Sequence, residues 1–194
     1  LTSPSSIEQV MGLLANNEDI NDIPVTVKGR FKTPIMFLDN QPNGKKLGYR
    51  VIQPIEIQTG TLLVNLGWVA GSIDRSVLPK VEALTGTRQF IGHIRIPEQG
   101  VIISEKVIEN FDQALRIQFL DLAKISQETG QNLLPFVVYL DKNEGIGFEK
   151  NWQPIVMPPE KHRAYSFQWF SLATAWMLLM LSALYFNRAK NNKK

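Results

Sequence analysis

Residues 164–186 run 23 positions without a charge, and Arg188, Lys190, Lys193 and Lys194 follow directly. As an α-helix at 1.5 Å per residue this stretch is roughly 34 Å long, enough to cover a ~30 Å hydrocarbon core. Buried helices of soluble domains can be as apolar, but they are rarely this long and seldom end in a basic tail. The expectation is a C-terminal transmembrane helix, with the rest of the chain tethered to one face of a bilayer.

The flanks set an orientation. Positive charge close to a membrane end favours the cytoplasmic side, which places the tail at 188–194 there. Lys161 and Arg163 precede the span and reduce the bias. Long segments translocate largely regardless of charge, so the preceding domain is expected outside, in a periplasm or an equivalent compartment.

Charge also separates the two parts of the chain. The net charge of +3 comes from six basic side chains in residues 161–194, which hold no acid; residues 1–160 carry 15 basic against 18 acidic groups. A slightly acidic domain gives no footprint for nucleic acid. With no cysteine, disulfides, thiol redox chemistry and thiolate metal sites are excluded. His93 and His162 are the only histidines, too few for a metal cage or for a hydrolase base with a nearby nucleophile. No phosphate loop, dinucleotide fingerprint or nucleophile elbow occurs, and the chain is not expected to be an enzyme. It begins at Leu1 without a signal peptide, so a first transmembrane helix upstream is expected.

Along the domain, Ile7, Val10, Met11 and Leu14 recur at helical spacing behind a Ser5-Ser6 cap, and Asn16-Asn17 ends that helix. Strand signals follow: Val25 and Val27 alternate, 35–38 is an apolar run, 40–44 is a dense turn signal, and extended patterns cover 49–57, 61–69 and 90–96. A helix is expected over 120–129 with Gly130 as its C-cap, then a strand at 133–140 and a last extended segment at 152–157. Trp68 is expected in the core, with Gly67 permitting a bulge or close approach. Asp74-Arg75 reads as a loop ion pair, and His93 as a solvated residue on a strand's polar side. Six or seven strands with minor helices predict a β-rich α+β extramembrane domain, barrel- or sandwich-like. The boundaries are a helical segment at 1–21, the β-rich domain at 22–158, the transmembrane helix at 159–187 and a basic tail at 188–194.

The junction Pro158-Pro159-Glu160-Lys161-His162-Arg163-Ala164-Tyr165 carries the most chemistry. Prolines stop the last strand and suit the first turn of a helix. On a 3.6-residue helix His162, Tyr165, Trp169, Ala173 and Trp176 share an arc of roughly 80°, bordered by Gln168. A flat apolar macrocycle can lie against such a face with His162 as an axial ligand. Tyr, Trp, Lys and His at a membrane boundary are also ordinary interfacial anchors, and the pattern leaves both readings open.

Taken together, these motifs resemble the surfeit-locus-one family of cytochrome c oxidase biogenesis proteins. The resemblance rests on 24–31 (PVTVKGRF), 38–40 (LDN), 48–54 (GYRVIQP), 63–69 (LVNLGWV), Asp74-Arg75, Leu78-Pro79, Pro158-Pro159-Glu160-Lys161-His162, Tyr165 and Gln168-Trp169-Phe170. Two positions depart from the family pattern, Leu66 where an arginine is usual and Ala164 where a glycine is usual. The resemblance implies two transmembrane helices around a β-rich domain and a role in delivering haem a to oxidase subunit I. It implies His162 as the haem-binding residue, the axial ligand of the iron, with Tyr165, Gln168 and Trp169 around it. Implied partners are subunit I, other oxidase subunits, haem a synthase and the lipid bilayer. The implied location is a bacterial inner membrane with the main domain in the periplasm, or the mitochondrial inner membrane in a eukaryote. The alternative is a scaffold or accessory subunit that stabilises the oxidase without touching haem.

Overall fold

A computed structural model describes residues 3–97, 108–111, 114–152 and 159–191. The chain divides into two units, Leu1–Trp152 and Gln153–Lys194. The first holds α1 (Ile7–Ala15), β1 (Pro24–Phe31), β2 (Ile35–Asn43), β3 (Lys46–Ile57), β4 (Gly60–Ala70), β5 (Thr87–Arg95), β6 (Ile108–Phe111), β7 (Ala114–Ile117), α2 (Leu122–Thr129) and β8 (Leu133–Leu140). The second holds α3 (Pro159–Asn191), whose side chains are described from Tyr165 to Ala183.

In the first unit, five strands close on themselves. β1 pairs antiparallel with β5, β5 antiparallel with β8, β8 parallel with β4, and β4 antiparallel with β3. The ring closes where Arg30 and Phe31 of β1 meet Glu56 and Ile55 of β3. The fold is thus sheet-rich α+β, and the barrel alternative is the one realised. β3 is long enough to serve two neighbours on one side: its far half pairs with β1, while its near half carries β2, beyond which β7 and β6 extend the sheet.

Alternation fills this barrel. Val25 and Val27, Tyr49, Val51 and Ile55, Leu62, Val64 and Leu66, Phe90, and Phe136 and Val138 form one buried cluster. The helix α1 adds Ile7 and Val10 to it. Its start is fixed by a reciprocal capping box: Ser6 Oγ accepts from the Gln9 amide and Gln9 Oε1 accepts from the Ser6 amide. A second cluster, of Met36, Leu38, Ile52, Leu63, Leu115, Ile117 and Val137, packs around Ile125 of α2. Asp121 caps α2 and Gly130 ends it in the left-handed conformation at φ 65°, two residues inside the predicted start and at the predicted stop.

Two differences from the sequence reading have local causes. Strand β2 continues through the first four residues of the 40–44 turn signal: its register against β3 shifts between Leu38 and Gln41, with Asn40 at φ 56°, and the hairpin turn forms at the last of them, Gly44, with Lys45. The four-residue strands β6 and β7 are too short to leave an alternation pattern. The expected extended segment at 152–157 lies, after Trp152, outside the described residues.

Two buried polar devices hold the loops. Between β3 and β4 the register shifts at Val51/Ile52 opposite Gly67 and Asn65, so that Leu66 is the extra residue of a bulge and its side chain is fully buried. Asn65 Oδ1 accepts from the Gly67 amide at 3.0 Å, and the bulged edge then pairs with the 147–149 segment through Phe148 N–H to Leu66 O and Trp68 N–H to Glu149 O, both 2.7 Å. Gln53 is also fully buried: Nε2 donates to Lys32 O and Leu84 O, and Oε1 accepts from the Leu84 amide. Trp68 is in the core as expected, its Nε1 donating to Gln41 O at 2.7 Å.

Candidate functional site

Two places carry chemistry, one in each unit. In the second, Pro159 opens α3 and places His162 in its first turn. The helix is continuous through the motif, so its periodicity sets Tyr165 and Trp169 on the face headed by His162, with Ala173 and Trp176 beyond. Gln168 lies about 60° to the side of Tyr165 on that period. The described residues Tyr165, Gln168, Trp169 and Trp176 are all exposed. The His162 side chain lies outside the described residues.

The same helix is apolar all round. Tyr165–Ala183, 19 residues with mean hydropathy 1.2, is long and apolar enough to cross a membrane, and every described side chain in it is exposed. Its hydroxyls turn back on the helix, Thr174 Oγ1 donating to Phe170 O and Ser182 Oγ to Leu179 O, both at 2.8 Å. Gln168 has no hydrogen-bond partner among the described residues.

The first unit holds a cluster that the sequence reading missed. His93 on β5 stands opposite Tyr139 on β8, which in turn stands beside Asn65 on β4. His93 Nε2 meets Asp141 Oδ2 at 2.9 Å, and Nδ1 lies 3.4 Å from Asp22 O. His93 is therefore half-buried and paired, with 21 % of its side chain exposed, not solvated as its place on the polar side of β5 suggests. Trp152 packs against both His93 and Tyr139, with ring centroids 5.5 and 5.2 Å apart. Two guanidinium groups flank the aromatics: Arg95 lies over Trp152 at 5.2 Å and Arg50 over Tyr139 at 5.5 Å. The signal available was the i, i+2 pair His93/Arg95 on one strand face, but the cross-strand register that gathers the other members is not legible in a single sequence.

Asp141 is the acid of this cluster. The Asn143 amide, which donates to Oδ1 at 2.9 Å, and then His93 hold its carboxyl below the usual carboxylate range. A depressed native value stabilises the fold above the ordinary carboxylate pKa of about 4, and that stabilisation is lost as pH falls through the native value. The urea midpoint of Asp141→Asn is accordingly expected below wild type at pH 6, with the gap closing as pH approaches 3. A gap that stays constant across that range would mean the charge of Asp141 contributes nothing to the fold.

The predicted Asp74–Arg75 pair does not form. Asp74 accepts from the amide and hydroxyl of Ser76, while Arg75 Nη2 reaches Asp39 Oδ1 at 2.5 Å and so ties the 71–86 loop to β2. The backbone carbonyl of Arg75 in turn accepts from Arg116 Nη2 on β7. Asp39 is buried, and a charged group in such a site is held by its partner across elements, not by its sequence neighbour.

Against known proteins, the model of the SURF1 family matches residues 2–174 of the 194. No curated protein matches the chain.

Proposed function

The chain belongs to the SURF1 family, and from that premise we propose a membrane-anchored assembly factor for cytochrome c oxidase that binds haem a and helps deliver it to oxidase subunit I. The family is associated with cytochrome oxidase assembly. The observation that carries the reading is the extent of the match: it runs to residue 174, and so takes in His162, Tyr165, Gln168 and Trp169 together with the barrel.

In this reading α3 crosses the bilayer of a bacterial inner membrane, with the barrel in the periplasm; in a eukaryote the membrane is the mitochondrial inner one. The residues of α3 suit a haem. Tyr165, Trp169 and Trp176 present one exposed aromatic face, and residues 161–194 hold no acid to oppose the propionates. The imidazole of His162 would hold the iron, Tyr165 and Trp169 would cover the macrocycle, Gln168 would offer its amide at the edge, and Lys161 and Arg163 would meet the carboxylates. The group, when bound, supplies the redox iron that the oxidase requires; the chain positions it, keeps water from it and performs no catalysis of its own. Partners are subunit I, other oxidase subunits and haem a synthase.

The test is made in cells lacking the chain. Oxidase-bound haem a, read from membrane difference spectra, is expected to fall, to return with wild type, and to stay low with His162→Ala at equal protein level. Full recovery with His162→Ala would contradict haem handling and favour the scaffold reading.

A further inference from the structure

Among the half-buried arginines of the barrel unit, Arg50 differs in having no carboxylate partner among the described residues. Arg95 and Arg116, half-buried like it, pair with Asp22 and Glu109. The Nε of Arg50 is buried without an acceptor. Its Nη1 is spent on Tyr139 Oη, at 3.4 Å, and the Tyr139 ring lies under the guanidinium. That leaves the Nε edge, one prong pair of the fork with which arginine grips an oxyanion. Leaving a charged donor buried and unmet is costly, so the arrangement needs an acceptor from elsewhere.

A recess of about 10 Å³, room for one water-sized group, opens beside it. Arg50, Asn65, Tyr139, Lys150 and Trp152 line it, together with Glu149. No ion pair joins Glu149 to Arg50; its Oε1 accepts from Asn43 Nδ2 at 2.7 Å, and its charge stays at the rim of the recess. Lys150 Nζ donates to Glu144 O and adds a second cation. We propose that this recess receives an oxygen of a phosphate group, gripped by Arg50 and bordered by the Tyr139 and Trp152 rings. The source that fits its place in the chain is a phospholipid headgroup: six residues separate Trp152 from Pro159, where the helix read above as the anchor begins. Arginine, lysine, tyrosine and tryptophan together are also the composition of membrane interfaces. The lipid source rests on the membrane reading of α3; the phosphate site itself does not.

The experiment melts the full chain in a phosphate-free sugar detergent with three additions at constant ionic strength: inorganic phosphate, phosphatidylglycerol and diacylglycerol. Each variant is compared with its own ligand-free melting temperature, so that an intrinsic loss of stability does not confuse the result. Near saturation, phosphatidylglycerol is expected to raise the wild-type melting temperature by about 5 °C and diacylglycerol to leave it unchanged. Arg50→Gln is expected to lose the shift, and Arg50→Lys, which keeps the charge but not the fork, to retain a fraction of it. A shift with inorganic phosphate but none with phosphatidylglycerol would support the site and assign it to free phosphate. No shift with either, or equal shifts in wild type and Arg50→Gln, would overturn it. Alkaline extraction of membranes reads the anchor separately, so a failed anchor and a failed phosphate site are told apart.

Discussion

Gly67→Ala is expected to destabilise the barrel unit by about 2–6 kcal/mol. Gly67 sits at φ 118°, a region that only glycine enters readily, and an L-residue held there costs about 1–3 kcal/mol. A Cβ would also lie 2.8–2.9 Å from the carbonyl carbon of Phe148 and the carbonyl oxygen of Glu149. These are backbone atoms fixed by the pairing of 147–149 with the β4 bulge, and forcing them apart adds about 1–3 kcal/mol. The clash is reciprocal: at Gly147, φ 83°, a Cβ would meet Leu66 O. Gly145→Ala is the control, since nothing lies within 4 Å of its added carbon and its φ is ordinary. Urea unfolding of the full chain followed by tryptophan fluorescence reads all three. A loss under about 1 kcal/mol at Gly67 would mean that the bulge can move away from the 147–149 segment.

Gln53→Leu is expected to cost about 3 kcal/mol or more, although the new side chain is apolar and of similar size. The cost arises in what it leaves behind. Lys32 O, Leu84 O and the Leu84 amide, on half-buried residues, each lose a partner supplied by the fully buried Gln53 amide, and a group left unmet away from water costs about 1–3 kcal/mol. Because Leu84 is the far anchor of the 71–86 loop, the loss should be local before it is global. Limited proteolysis of native Gln53→Leu is expected to cut first within 71–86, where Ile73 and Val77 are already exposed. Unchanged cleavage together with unchanged stability would show that the loop is held from the Arg75 end alone.

The helices and most strands were legible in the sequence because their signals are local. Ser5-Ser6 marks a cap, Gly130 announces a stop, and Val25/Val27 or Phe90/Ile94 alternate in the strand period. Barrel closure was not legible, since it depends on two residue pairs between β1 and the far end of β3, separated by some 25 positions. The turn signal at 40–44 located the hairpin but began four residues early, because a bulge and a strand-edge proline use the same residue types as a loop. Departures from local rules proved informative at Leu66: the uncharged residue where the related family usually has arginine is the fully buried extra residue of the bulge.

The two candidate sites divide along the same line. The α3 motif is contiguous, so one period of helix displays its aromatic face from sequence alone. The Arg50–Tyr139–Trp152 cluster joins residues up to about a hundred positions apart through cross-strand register and the path of the 141–152 segment. His93 read as solvated because the acid that pairs with it, Asp141, lies on another element entirely.

The central claim is that α3 holds haem a through His162. It is tested most directly by the absorption spectrum of the full chain, purified in detergent from cells that make haem a, beside that of His162→Ala. The account predicts haem a in near-stoichiometric amount on wild type and its loss from the variant. Colourless preparations of both, each retaining oxidase subunits, would contradict it and leave the aromatic face as an interfacial anchor.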